Sequence, residues 1–365
     1  MKLVFLSKRR PMGRDLIASP YGRFFNLPLE LARQGHEVHI ALLSYRQDRP
    51  VDLTVDGIHW TSDSIYSRFG FSYLSRVRQL ADQLRPDWIV GCSDTYFGIL
   101  AQKLGKKYGR NSIIDAYDNY EGYLSWCKPL HAMWRASLRR ATAISAAGPA
   151  LLELMSQGRP SDSAIVASMA PDPVGFVPLP KGECRSELNL PQDKQLIGYA
   201  GGIFPSRGID LLFRAVADLK LTRPDLQLVL SGRVHSSVEL PKDAIWLGYL
   251  PDDRMPMLLN SLDVAAVVNK RSAFGDHSYP IKLYEAMSCS VPVVASRTPA
   301  TEWILRNHPK HTVTPGDIND LARGIDAMLD KGRVDYDAIP TWGSVAESLG
   351  MFLTRLSQNQ RDDSG

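Results

Sequence analysis

Ile197-Gly-Tyr-Ala-Gly-Gly-Ile-Phe-Pro-Ser-Arg-Gly-Ile-Asp-Leu-Leu212 reads as an apolar strand, then a glycine turn, then a helix opened by Arg207-Gly208. Strand, glycine turn and helix in that order form one arm of a βαβ unit. Outward from this stretch the pattern repeats. Apolar runs at 226–231, 245–247, 264–268 and 292–295 predict strands, and periodic stretches at 252–260, 279–287, 300–305 and 317–329 predict helices. Upstream, strands are expected at 2–7, 37–43, 88–92, 112–116 and 143–146, with helices at 24–34, 71–84, 96–108, 129–141 and 149–155. Such alternation places parallel sheets between helical layers, so the fold class is α/β with two doubly wound, Rossmann-like domains facing a central cleft. Pro171, Pro173, Pro178 and Pro180 mark the join. Apolar spacing over 342–356 predicts a last helix that crosses back to the first domain. The expected domains are 1–172 plus 340–365, and 173–339.

The 365 residues suit two domains. The net charge of +4 is uneven: residues 1–150 carry 21 Lys+Arg against 13 Asp+Glu, and the rest carries 22 against 26. The basic half can face an anionic membrane surface or a phosphorylated ligand. Lys8, Arg9, Arg10 and Arg14 follow the first strand, and Arg135, Arg139 and Arg140 share a predicted helix with Met133 and Trp134. Such a face could rest on anionic lipid. Cys92, Cys127, Cys184 and Cys289 have neither paired spacing nor a nearby His cluster, which fits a reducing compartment and no zinc site. The opening MKLVFLSKRR puts its apolar run before its basic one, the reverse of a secretion signal. No apolar run approaches the ~20 residues that span a bilayer. The expected location is cytoplasmic, with peripheral attachment to the inner face of the plasma membrane as a candidate.

The stretch richest in chemistry is Ser272-Ala-Phe-Gly-Asp-His-Ser-Tyr-Pro-Ile-Lys-Leu-Tyr-Glu-Ala-Met287. Ser278 can cap a helix and Pro280 fits its first turn. Free amides there would face an anion. Lys282 and Glu285, three apart, share one face. Anion-binding amides, a cation and a carboxylate one turn on suit a nucleoside diphosphate, the carboxylate accepting from ribose hydroxyls; a solvated Lys–Glu pair fits the stretch equally well. In the 197–212 stretch, glycines admit a phosphate close to the backbone and Arg207 can grip it through two N–H groups. Read alone, this is equally a tight turn with a solvent-facing arginine.

The order of these pieces resembles the group 1 (family 4) glycosyltransferases of the GT-B fold. After the glycine-turn element come Leu228-Val-Leu-Ser-Gly232, Trp246-Leu-Gly-Tyr-Leu-Pro251, Leu262-Asp-Val-Ala-Ala-Val-Val268 and the Glu-Ala-Met helix with Val291-Pro-Val-Val-Ala-Ser296. Looser matches run through the first domain: Arg23 to Gly35-His36-Glu37-Val38, Arg85-Pro-Asp-Trp-Ile-Val90, and Ile144-Ser145. By position, the resemblance implies that Glu285 binds the donor ribose and that Arg207 stands where a phosphate-binding lysine is usual. Amides around Ser278, Tyr279, Pro280, Ile281 and Lys282 would hold the diphosphate, with Gly201, Gly202, Gly208 and Gly232 as close backbone and Gly248, Tyr249 and Leu250 beside the base. Gly13, Arg14, Arg23, Asp94 and Tyr117 would line the acceptor side, with Asp118 among the catalytic residues. Departures are specific. His277 stands where a first glutamate is common, although Pro280-Ile-Lys282-Leu-Tyr-Glu285 matches a Pro-x-Lys-x-x-Glu variant of the motif. Gly202 replaces a phosphate-binding arginine, Tyr117 replaces a histidine, and Ser290 replaces a glycine after Cys289.

The resemblance implies a nucleotide-sugar donor, a glycan or lipid-linked acceptor, and transfer with retention of configuration. No cofactor, metal or nucleic acid is expected, Asp252-Asp253 reading as a helix cap and His36 and His39 as structural. Front-face transfer, with the leaving diphosphate helping to deprotonate the acceptor, needs positioning and charge stabilisation above all. A non-catalytic GT-B scaffold and a nucleotide-sugar epimerase are the alternatives. A nicotinamide dehydrogenase is disfavoured, since no G-x-G-x-x-G follows the first strand.

Overall fold

The computed structural model describes residues 1–172, 175–270, 275–277, 279–337 and 339–362. They divide into two units, Met1–Met169 with Pro340–Gly365, and Ala170–Ile339. The first contains β1 (Lys2–Lys8), α1 (Arg23–Arg33), β2 (Glu37–Ser44), β3 (Val51–Val55), β4 (Ile58–Ser64), α2 (Phe71–Gln79), β5 (Trp88–Gly91), α3 (Thr95–Tyr108), β6 (Asn111–Ala116), α4 (Lys128–Arg140), β7 (Ala143–Ala146), α5 (Pro149–Met155) and β8 (Ala164–Val166). Its sheet runs β3-β4-β2-β1-β5-β6-β7-β8, parallel except for the β3–β4 hairpin. Leu3, Val4, Phe5 and Leu6 are all buried, as a central strand covered on both faces requires. The order of strands turns at β1, which pairs with both β2 and β5. In open parallel sheets, ligands bind beside such a point, outside the carboxyl ends of the strands.

The second unit contains α6 (Lys181–Glu187), β9 (Gln195–Ala200), α7 (Ile209–Lys220), β10 (Leu226–Ser231), β11 (Ile245–Trp246), α8 (Met255–Ser261), β12 (Val264–Val267), α9 (Ile281–Ser288), β13 (Val293–Ser296), α10 (Pro299–Ile304), β14 (Thr312–Val313) and α11 (Ile318–Leu329). Its sheet, β11-β10-β9-β12-β13-β14, is parallel and turns at β9. The chain then ends in α12 (Trp342–Asp362), six residues longer than its apolar spacing suggests, which packs on α1 in the first unit. Gln34 Nε2 donates to the Gly343 carbonyl at 3.0 Å, and Trp88 Nε1 to Ser357 Oγ at 2.9 Å.

One expectation for the first unit fails. Arg23 does not line an acceptor surface. It is 2% exposed, and its Nε and Nη2 donate to the two oxygens of Asp115 at 2.8 and 2.6 Å. Nη1 donates to the Ala167 and Ser168 carbonyls at 2.7 and 3.1 Å, and Ser145 Oγ donates to Asp115 Oδ1 at 2.6 Å. Several side chains of the basic face expected to meet lipid are engaged within the unit. Trp134 is buried against Tyr120, and Arg135 is held by Glu121. In the loop after β1, Arg9 and Arg10 are paired with Asp15 and Asp48, and Lys8 with Asp94. Lys8, Arg9 and Arg10 thus each have a carboxylate partner within the unit.

Removing one partner of a buried ion pair strands the other's charge. Asp115→Ala should therefore destabilise by ~3–5 kcal/mol, whereas Arg23→Met with Asp115→Leu should recover much of that loss. Denaturant midpoints of the three proteins test this; a loss under ~1 kcal/mol in the single variant would show that the pair is not structural.

Candidate functional site

In the second unit, three strands deliver loops to the carboxyl edge of the sheet. After β9 the chain makes Gly201 and Gly202, then a short 3-10 turn (Pro205–Arg207), and Gly208 starts α7 with φ 76°. A glycine is required at 232. A Cβ there would lie 1.8 Å from the Gly201 carbonyl oxygen, so the β9 and β10 ends touch backbone to backbone. Gly232 N donates to Gly248 O at 2.8 Å, bringing in the third loop, on which Tyr249 is exposed and Leu250 half-buried. Arg233 lies over the Tyr249 ring, 5.5 Å from its centre.

Arg207 is held from β12. Its Nη1 donates to Asn269 Oδ1 at 3.2 Å, and Asn269 N donates to Ser296 Oγ at 3.1 Å. Asn269 is 7% exposed and was not singled out in the sequence. Its signal is a polar residue ending the apolar run of 264–268. Tyr199, another residue the sequence did not single out, donates through its hydroxyl to the Gly202 carbonyl at 3.0 Å. The space a side chain at 202 would need is taken by the ring of Phe204, 2.2 Å from where its Cβ would be.

On α9, Lys282 Nζ lies 2.8 Å from Glu285 Oε2. Glu285 is 1% exposed, and Oε2 has no aligned hydrogen bond, so this ion pair leaves acceptor capacity on a buried carboxylate. Burial pushes the Glu285 carboxyl above its ordinary value of 4.5, while Lys282 partly opposes the shift. The helix begins at Ile281, and Pro280 is its cap residue rather than part of its first turn. That is the conformation expected before a helix, with φ −73° and ψ 109°. Tyr279 is buried edge-on against Trp303, and His277 ends a 3-10 turn at Gly275–His277. Ser278 lies outside the described residues. Ser290 follows α9 with φ 57°, a conformation that favours the glycine it replaces.

In the first unit, Asp94 and Tyr117 come together on the wall of a pocket of about 960 Å³. Asp118 borders a separate, smaller one of about 260 Å³ with Arg135 and Arg139. Tyr123 joins the two places: its hydroxyl lies 2.8 Å from Asp118 Oδ2 and 3.3 Å from the Tyr117 hydroxyl. Burial, then the charge of Asp118, pushes both phenols well above their usual range, so each stays a donor. Gly13 and Arg14 sit in the loop after β1, where Arg14 stacks on Tyr21 and bonds Ser19, and they are not on the wall of the larger pocket. Among the described residues no three His, Cys, Asp or Glu side chains gather as a metal site, and no helix is long and apolar enough to cross a membrane.

Residues 180–339 match the family model for glycosyl transferases group 1, and residues 24–167 match that of a glycosyl transferase 4-like domain. The chain belongs to the group 1 glycosyltransferases. Curated proteins that the chain is similar to include D-inositol 3-phosphate glycosyltransferases. That of Stackebrandtia nassauensis is 27% identical over 52% of this chain and 48% of its own length. That of Saccharomonospora viridis is 31% identical over 48% and 46%. The chain thus spans about half the length of the curated relatives it matches. Among solved structures, HepE of Anabaena in complex with UDP has a TM-score of 0.70 at 16% identity, covering 100% of this chain and 99% of that one. Sucrose-phosphate synthase of Thermosynechococcus elongatus gives 0.70 at 16%, covering 99% and 98%. These likenesses give the fold as GT-B.

Because Glu285 is an acid whose folded value is raised, the folded protein binds the extra proton above about 4.5, and stability falls as pH rises through that window. Glu285→Gln removes this term. The variant should equal the wild type near pH 4 and gain on it towards pH 8, as followed by melting temperature across that range. A variant that loses ground with rising pH would mean that the charged Glu285–Lys282 pair is net stabilising.

Proposed function

We propose that the chain transfers a sugar from a nucleoside diphosphate sugar to an acceptor hydroxyl of a glycan or glycolipid precursor, with retention of configuration and without a metal ion. One observation carries the donor half of this reading: a fully buried carboxylate, Glu285, is ion-paired through Oε2 with Lys282 one turn into α9, and that oxygen can accept a further hydrogen bond. A buried acceptor of this kind is costly unless a donor fills it, and two vicinal ribose hydroxyls supply such donors. Arg207, Lys282 and the first amides of α9 would neutralise the diphosphate, and the Gly248–Leu250 backbone would lie against the base. As the sugar–phosphate bond breaks, charge grows on the leaving diphosphate, and these cations are placed to stabilise it. Front-face attack asks no carboxylate to act as nucleophile. In the first unit, Asp94, Tyr117 and the Tyr123–Asp118 pair would orient the acceptor. Related folds are known with UDP and UDP-glucose in HepE, which supports uracil as the first base to test.

A non-catalytic nucleotide-binding scaffold is the second reading, favoured by the Phe204 ring that fills the space next to Gly202. Release of free sugar or transfer to any acceptor separates it from the first.

Melting temperature against UDP, GDP, ADP, CMP and dTDP tests the donor site. One diphosphate at 100 times its Kd should add about 2.7 kcal/mol, and Glu285→Gln should abolish that gain while remaining folded. Arg207→Ala should weaken binding on the order of 10–100-fold, the worth of one charged hydrogen bond. If no nucleotide stabilises the wild type, the donor reading is wrong.

A further inference from the structure

The 960 Å³ pocket of the first unit has two unlike ends. Its polar end lies at the carboxyl edge of the sheet. Lys8 ends β1, Asp94 caps α3, Tyr117 follows β6, and Lys8 Nζ reaches Asp94 Oδ2 at 3.3 Å. From there the pocket follows one face of α3 through Tyr96, Leu100 and Lys103, a run of two turns or roughly 10 Å. The opposite wall comes from α2 and the segment that joins β4 to it, and supplies Ile65, Phe69 and Leu74.

This wall is not a by-product of core packing. Phe69 lines the pocket yet is 93% exposed, and Tyr96 is 48% exposed. The segment holds Arg68 and Phe69 at φ 47° and 52°, left-handed values that non-glycine residues rarely adopt. Strain that presents an aromatic ring to water at the rim of an apolar pocket has a use only when something covers the ring. The volume falls in the range of ligand sites, and the lining, mostly apolar with a few convergent polar groups, has their composition.

We propose that this pocket takes the hydrocarbon part of an amphiphilic acceptor, whose hydroxyl-bearing head lies at Asp94 and Tyr117 and whose tail runs along α3 to the Phe69 rim. The proposal rests on the glycosyltransferase reading and narrows it to acceptors that carry an apolar chain. Discrimination then comes from the tail, because each buried methylene tightens binding about fourfold.

Calorimetric titration of the full chain with methyl, hexyl and octyl β-D-glucopyranoside, below their micelle concentrations and without nucleotide, tests it. Affinity should climb steeply along the series. Phe69→Ser and Tyr96→Ser, both at exposed positions that endanger no core, should each weaken the octyl compound by about tenfold and leave the methyl compound unchanged. Leu100→Asp should remove the chain-length dependence altogether. Equal affinity along the series, or a series untouched by all three variants, overturns the proposal. So does retention of the protein on neutral phosphatidylcholine vesicles with no dependence on alkyl length, since the Phe69 rim would then belong to a bilayer. Stabilisation by a nucleoside diphosphate is read separately on the same variants. If it persists while the alkyl series is flat, only the acceptor proposal falls; if both fail, the transferase reading falls with it.

Discussion

Five hydrogen bonds onto four acceptor oxygens meet in the middle of the first unit, where Arg23 grips Asp115 almost without access to water. Burying both charges is affordable only when every hydrogen-bonding position is used. Here the guanidinium spans the carboxylate and two carbonyls, and Ser145 adds a further donor to the carboxylate. The geometry is therefore fixed from four directions: α1, β6, β7 and the segment at Ala167 and Ser168. Tyr117 and Asp118 leave β6 immediately after Asp115, so the pair also fixes where the pocket-lining segment starts.

The second unit has its own buried pair, Arg185 with Asp263, at the amino end of β9, and at the carboxyl end it relies on backbone contact. Gly201 and Gly232 bring two strand ends so close that any side chain at 232 would overlap a carbonyl. Around that contact, hydrogen bonds run from Ser296 through Asn269 to Arg207, which aims a flexible cation with a short rigid amide. Glu285 is the opposite case. Its burial raises the cost of its own charge, and Lys282 offsets only part of it. A carboxylate kept in such a place against its solvation is a better mark of a binding site than a satisfied one.

The legibility of the sequence follows the same physics. β7, α5, β9 and β10 are found where periodicity puts them, because a buried parallel strand must be apolar throughout and a helix must be apolar on one side. The β3–β4 hairpin was missed although Asp56-Gly57 signals it: both residues have positive φ, as a two-residue hairpin turn requires. β8 and β14 are edge strands of three and two residues, too short to carry a period. Within the site, Glu285 and Lys282 are legible because their spacing on one helix is local. Asn269 acts across the fold on Arg207, and no local pattern announces such a partner; Tyr123 is close to Asp118 in sequence, but the stretch between them has neither helical nor strand period. Arg23 was misread for a related reason: an arginine ahead of a helix looks exposed until the aspartate 92 residues later is placed beside it.

The first unit is discontinuous, and this orders its synthesis. α12 covers α1 near Leu31, whose Cδ2 lies 3.7 Å from where a Cβ on Gly350 would be. About 170 residues of the other unit are translated between the end of the first segment and this cover. At roughly 5–20 residues per second the wait is on the order of ten seconds or more. Through that time the growing chain holds an eight-stranded sheet whose α1 has an open apolar side, while the intervening unit has every strand it needs. The segment made before the intervening unit is thus the last to close, and through that interval one flank of its sheet stays uncovered.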